Sequence, residues 1–125
     1  MNLVIVDDDP IAIYLAKHVF EKNENITEIT TFIEPEKGLN YFFDIANHNK
    51  DICLILDLNM PKIDGWEFLK QLDETNTINT IQSLKIFICS SSIFEKDKIK
   101  ANSYSFVSGF IEKPISKSAN KIIES

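Results

Sequence analysis

The sequence has little of what marks a membrane, secreted or nucleic-acid-binding chain. None of its apolar runs approaches the roughly 18 residues needed to cross a bilayer. Its opening stretch, MNLVIVDDDP, has neither the charged start nor the longer apolar centre of a secretory signal. Only two cysteines occur, Cys53 and Cys89. Each sits inside an apolar run and neither belongs to a CxxC or Cys/His arrangement, which argues for buried free thiols over a disulfide or a thiolate metal site. The 13 basic residues are scattered among 19 acidic ones, leaving no electrostatic footprint for nucleic acid. No block of like charge exceeds the triplet Asp7-Asp8-Asp9, and no repeat, low-complexity tract or linker interrupts the chain. We therefore expect a cytoplasmic protein with no membrane and no direct nucleic-acid partner. Its 125 residues, 44% of them apolar, suit a single domain around one core.

Three short apolar runs are present: LVIV (3–6), ICLIL (52–56) and IFIC (86–89). Each is rich in branched residues, and each is continuous rather than alternating, as in parallel strands covered on both faces. EITTF (28–32) and GFIE (109–112) are weaker strand candidates. Helical patterns fall between them. Residues 10–22 place Ile11, Leu15, His18 and Val19 on one face behind Pro10, so His18 reads as a core or boundary residue. Residues 35–48 carry Leu39, Phe42, Phe43 and Ala46; residues 65–74 carry Phe68, Leu69 and Leu72; residues 116–124 carry Ala119, Ile122 and Ile123. The stretch EKDKIKANSY (95–104) has few apolar anchors and reads as a loosely packed helix. The connection DETNTINTIQSL (73–84) is long for such units and reads as a variable surface loop. Five β-α pairs in succession predict a doubly wound α/β domain with right-handed crossovers.

The chemistry gathers just after the strands. Asp7 and Asp8 follow the first, Asp57 the third, Ser90, Ser91 and Ser92 the fourth, and Lys113-Pro114 the fifth. Ligand crevices of open parallel sheets lie beyond the carboxyl ends of the strands, so these groups should converge on one rim. Taken singly each is bland: Asp9 beside Pro10 suits a helix cap, Asp64-Gly65 a turn, the serines a capping loop, Lys113 the surface. Their joint placement is what carries information. Crowded carboxylates near solvent suit Mg²⁺, a hard ion that commonly links carboxylates to a phosphoryl group. With a lysine and a hydroxyl nearby, this is equipment for phosphoryl transfer, and a carboxylate can itself accept the group as an aspartyl phosphate.

Through VDDD (6–9), LDLNMPKIDG (56–65), CSSS (89–92) and FIEKP (110–114), the chain resembles the receiver domain of two-component response regulators over about residues 2–124. The resemblance implies a flavodoxin-like (βα)₅ fold: a five-stranded parallel sheet of order 2-1-3-4-5 with helices on both faces. It implies that Asp57 is the phospho-acceptor and that Mg²⁺ is held directly by Asp8 and Asp57, by Asp7 through water, and by the backbone carbonyl of Asn59. It further implies that Lys113 pairs with the acceptor at rest and with the phosphoryl group afterwards. Ser90 and Phe110 take the switch positions, and the Lys113-Pro114 bond is cis. A one-residue shift would put Ser91 in place of Ser90, whose assignment rests on the strand ending at Cys89. Donors would be a sensor histidine kinase or a histidine phosphotransfer protein, with a downstream protein effector. The chain would catalyse only its own phosphorylation and dephosphorylation. With no output domain expected on residues 1–125, it would act as a stand-alone regulator or a phosphorelay intermediate.

Other families fit less well. A haloacid-dehalogenase-like phosphohydrolase also uses an aspartate nucleophile but needs a second acid two residues on, where this chain has Asn59. A flavodoxin-like FMN carrier would need a hydroxyl-rich loop after the first strand, where three aspartates would repel phosphate. A receiver-shaped module that is never phosphorylated is opposed by the complete set of Asp7, Asp8, Asp57, Ser90 and Lys113.

Overall fold

Side chains alternate across a strand, so a strand buried on both faces must be apolar at every position. The three strongest runs meet that condition and form the centre of the sheet. In the computed structural model, which describes residues 1–45 and 51–124, the strands are β1 (Asn2–Val6), β2 (Glu28–Phe32), β3 (Asp51–Asp57), β4 (Ser83–Ser90) and β5 (Val107–Glu112). They form one parallel sheet of order β2-β1-β3-β4-β5, as expected. The helices are α1 (Pro10–Phe20), α2 (Pro35–Ile45), α3 (Gly65–Glu74), a short α4 (Thr77–Thr80), α5 (Glu95–Asn102) and α6 (Ala119–Glu124).

Strand parity divides the core in two. Val4, Val6, Leu54, Leu56, Ile86 and Ile88 face Leu39 and Phe42 of α2 and Phe68, Leu69 and Leu72 of α3. Leu3, Ile5, Cys53, Ile55, Phe87 and Cys89 face Ile13, Ala16 and Phe20 of α1 and Ala119 and Ile123 of α6. Both cysteines are free and buried.

Helix α1 departs from expectation. It turns Ile13, Ala16 and Phe20 inward, while Ile11 is 68% exposed and Leu15 43% exposed. His18 is also on the surface, 3.6 Å from Glu21. The helix carries two apolar stripes with legitimate helical spacing, and the sheet takes the one that ends in the large Phe20 ring. The 73–84 connection is also more ordered than a surface loop. Helix α3 runs to Glu74, α4 follows, and the Thr75 and Thr77 hydroxyls bond at 2.7 Å. Thr77 and Ile81 are buried there, and β4 begins at Ser83, three residues before the expected start. The expected helical residues Ala46 to His48 lie outside the described residues. Helix α5 is loosely packed as anticipated, with Ala101 its one buried residue.

Candidate functional site

Parallel register carries the site residues to one rim. Val6 pairs with Leu56, so Asp7 emerges beside Asp57 at the end of β3. Asp57 in turn pairs with Cys89 and Cys89 with Ile111. Ser90 is the last residue of β4, one position further than the sequence suggested, and its carbonyl accepts from the Lys113 amide at 3.0 Å. That bond sets Lys113 immediately past β5, and the Lys113-Pro114 peptide is cis.

The side chains then meet. Lys113 Nζ lies 2.7 Å from Asp7 Oδ2 and 3.4 Å from Asp57 Oδ1. The closer partner is therefore Asp7, although the resemblance noted in the sequence implies Asp57. Asp7 Oδ1 accepts from the Asp9 amide at 2.9 Å, so both of its oxygens are engaged. Asp9 has the separate role read from the sequence: it caps α1 by accepting from the Ile11 amide. Asp57 accepts from the Asn59 amide at 3.3 Å. Asp7 and Asp57 are each 4% exposed, whereas Asp8 is half-buried.

Three acids and one ammonium leave the pocket with excess negative charge. Burial, and then the charge of Asp7, push the Asp57 carboxyl up to about 7, against the pull of Lys113 and the Asn59 amide. Burial depresses the Lys113 ammonium, but its bond to Asp7 and the charges of Asp7 and Asp57 outweigh that and raise it. Cys89, next to the acids, is pushed up to about 12, chiefly by burial, and is no nucleophile.

Asp7, Asp8 and Asp57 each offer an oxygen within 4.8 Å of the others. All donors are hard oxygens, and one residue opens to solvent. That set fits a small hard divalent cation and does not fit a soft metal.

The supporting turn is tight. Asp64 caps α3 by accepting from the Glu67 amide at 2.9 Å. The Gly65 amide donates to the Leu58 carbonyl at 2.9 Å. A Cβ on Gly65 would lie 2.8 Å from the Asp57 carbonyl oxygen, so no larger residue fits without moving the strand end that bears the acid. Sequence reading found the turn at Asp64-Gly65 but not this close approach, which has no local signature. Ser90 is buried, while Ser91 and Ser92 are exposed. Phe110 is half-buried against the α2/α3 side of the core.

The profile of the response regulator receiver domain matches residues 3–124. The chain belongs to that family. Solved structures agree on the fold of this receiver domain. A response regulator receiver protein from Dyadobacter fermentans superposes with a TM-score of 0.83 at 19% identity, over 99% of this chain and 95% of that one. A two-component response regulator from Legionella pneumophila gives a TM-score of 0.77 at 25% identity, over 98% and 94%. Among curated proteins, the cyclic di-GMP phosphodiesterase response regulator RpfG of Xanthomonas campestris is 28% identical over 115 residues, 92% of this chain but 28% of its own length. A protein-glutamate methylesterase/protein-glutamine glutaminase of Nitrosospira multiformis is 27% identical over 75 residues, 20% of its length. The receiver domain thus spans about a quarter of these relatives, whose enzymatic names describe them and not it. Among the described residues, no helix is long and apolar enough to cross a membrane.

Proposed function

We propose that this receiver domain is a cytoplasmic phospho-accepting switch, which takes a phosphoryl group from a phosphohistidine donor onto Asp57 and changes its protein-binding surface in response. The observation that carries this reading is the convergence of Asp7, Asp8 and Asp57 with Lys113 at the carboxyl rim of the sheet. A binding module with no phosphorylation has no use for a buried acid cluster that costs stability.

In the reaction, an Asp57 oxygen attacks phosphorus in line. The P–O bond forms as the P–N bond to imidazole breaks, and the leaving ring keeps the electron pair and takes up a proton. Asp57 acts as a carboxylate. Lys113 sits within 3.4 Å of the attacking group and neutralises charge on the transferred oxygens. Asp8, Asp57 and the Asn59 carbonyl, with Asp7 through water, would hold a divalent cation, Mg²⁺, which would supply further charge neutralisation. Asp7, already tied to Lys113 and the Asp9 amide, orients rather than reacts. Ser90 then donates its hydroxyl to a phosphoryl oxygen, and Phe110 moves into the space vacated.

The donor, a sensor histidine kinase or a histidine phosphotransfer protein, docks near α1. The exposed Ile11 and Leu15, with Pro114 and Ile115, line a mostly apolar depression of about 260 Å³ beside Lys113. The signal then passes to a protein effector or along a phosphorelay. Incubation with acetyl phosphate and Mg²⁺ should label the wild-type chain once and leave Asp57→Asn unlabelled. Equal labelling of the variant would refute the assignment.

A further inference from the structure

The two edges of the sheet differ in how they meet solvent. In β5 the register slips: Ile86 pairs with Val107 and Phe87 with Gly109, which leaves Ser108 as an extra residue. The Ser108 hydroxyl fills the gap by accepting from the Ile86 amide at 3.3 Å. A bulge of this kind turns an edge away from other chains. At the opposite edge, β2 runs beside β1 in unbroken register from Glu28 to Phe32. Among the described residues β1 is its only neighbouring strand. The segment EITTF has no proline, glycine or lysine, and after Glu28 every residue is β-branched or aromatic. Ile33, next along the chain, is 51% exposed. An edge so little protected is a template for another strand.

The strand's own pattern says what fits there. The Phe32 carbonyl accepts from the Asp7 amide at 3.0 Å, so Phe32 turns its main-chain groups toward β1. Direction alternates along a strand, so Thr30 does the same, while Ile29 and Thr31 turn their N–H and C=O groups outward. Side chains alternate too: Phe32 packs toward α2 and α3, and Ile29 toward α1 and α6. The full overlap of β2 with a reversed copy of itself centres on Thr30. It sets Thr30 against Thr30, Ile29 against Thr31 and Glu28 against Phe32 of the second copy. Every pair keeps its face of the sheet, the outward groups of Ile29 and Thr31 meet their complements, and no like charges are opposed. Moving the centre to Thr31 would set Glu28 against Glu34 at both ends, where like charges repel, and would need an extended chain at Ile33 and Glu34, where it bends. We propose that β2 is a self-association edge, through which two copies join antiparallel about Thr30 into one continuous sheet. Each copy carries a charge of −6, so mutual repulsion opposes the pairing and salt favours it. One strand edge falls short of the roughly 1,200 Å² that stable complexes bury, so the dimer is a weak one. Because β2 lies across the sheet from β4 and β5, pairing leaves Ser90 and Lys113 uncovered. The proposal does not depend on the phosphorylation reading above.

Sedimentation equilibrium of the full chain, at concentrations up to about 1 mM, tests this. The average mass should climb toward that of two chains, and added salt should tighten the association. Thr31→Pro removes an outward N–H and no bond to β1, so β2 keeps its place while association weakens at least about tenfold. Cross-linking reads the register independently, should the proline variant fail to fold. Thr30→Cys should form a disulfide between copies on mild oxidation, because opposed residues outside the hydrogen-bonded pairs lie about 4.5 Å apart at Cα, within disulfide reach. Glu28→Cys should not, since its counterpart lies at the far end of the paired strand. The native Cys53 and Cys89 are buried, and wild type under the same oxidation is the control. A wild-type chain that stays monomeric at every concentration would overturn the second-copy assignment and leave this edge to another protein's strand. Association unchanged in a folded Thr31→Pro, or equal linking by the two cysteine variants, would overturn the pairing through β2.

Discussion

Replacing Asp57 with asparagine should stabilise the metal-free protein at neutral pH and above, although it removes the group on which the proposed activity depends. Asp57 is 4% exposed and shares one ammonium with Asp7, which holds that ammonium more closely. Its carboxyl is raised from 3.8 to about 7, mostly by burial. The folded state therefore keeps a proton that the unfolded chain has already lost between those two values. Stability falls as pH rises through that window and levels off above about 7. At about 1.4 kcal/mol per tenfold, the ceiling on this cost is ~4 kcal/mol. Asparagine keeps the shape but cannot pair with Lys113, and the charge interaction with Asp7 is shared between two acids, so about half that ceiling, ~2 kcal/mol, is the expected gain. In a domain of this size it corresponds to a rise in Tm of about 6–10 °C. Thermal melts followed by circular dichroism in EDTA, from pH 4 to pH 8, measure it. The variant's advantage should be near zero at the acid end and should grow toward pH 8. Added Mg²⁺ should narrow it, because only the wild type retains the full donor set and gains by mass action. A variant less stable than wild type at pH 8 without metal, or an offset independent of pH, would refute the electrostatic account.

Asp8→Ala should weaken Mg²⁺ binding at least tenfold in a calorimetric titration; an unchanged titration would remove Asp8 from the cation site. Gly65→Ala should cost about 1–3 kcal/mol in urea unfolding and weaken Mg²⁺ binding as well, because the new Cβ would meet the Asp57 carbonyl at 2.8 Å. Cys53 and Cys89, both pushed up to about 12 chiefly by burial, should resist a thiol reagent at pH 8 until the chain unfolds; rapid modification of native protein would show that the sheet opens locally. Phe68→Ala, which empties a fully buried site between α2 and α3, should cost about 3–5 kcal/mol.

Much of this fold is legible in the sequence because its central strands are covered on both sides. LVIV, ICLIL and IFIC admit no polar residue for that reason, and the acids, serines and lysine that follow them mark the rim. Elements with mixed signals were harder to read. Helix α1 offers two apolar stripes, and only the packed sheet decides that Phe20 rather than Ile11 and Leu15 goes inward. Helix α4 is TINT, weak in helix propensity, and it forms in a segment where Thr77 and Ile81 are buried. Parity and register foretell that Asp7, Asp57 and Lys113 would be neighbours, but not that Lys113 lies nearer Asp7. That preference is a matter of ångströms in side-chain placement. The stacking of Trp66 with Tyr104 joins residues distant in the chain and leaves no periodic trace.

The most direct test of the account locates the phosphoryl group itself. After reaction with acetyl phosphate and Mg²⁺, borohydride reduction converts a phosphorylated aspartate to homoserine, and peptide mass spectrometry finds its position. The account predicts homoserine at position 57 and at no other aspartate. Homoserine at position 7 or 8, or none in protein that has become phosphorylated, would contradict it.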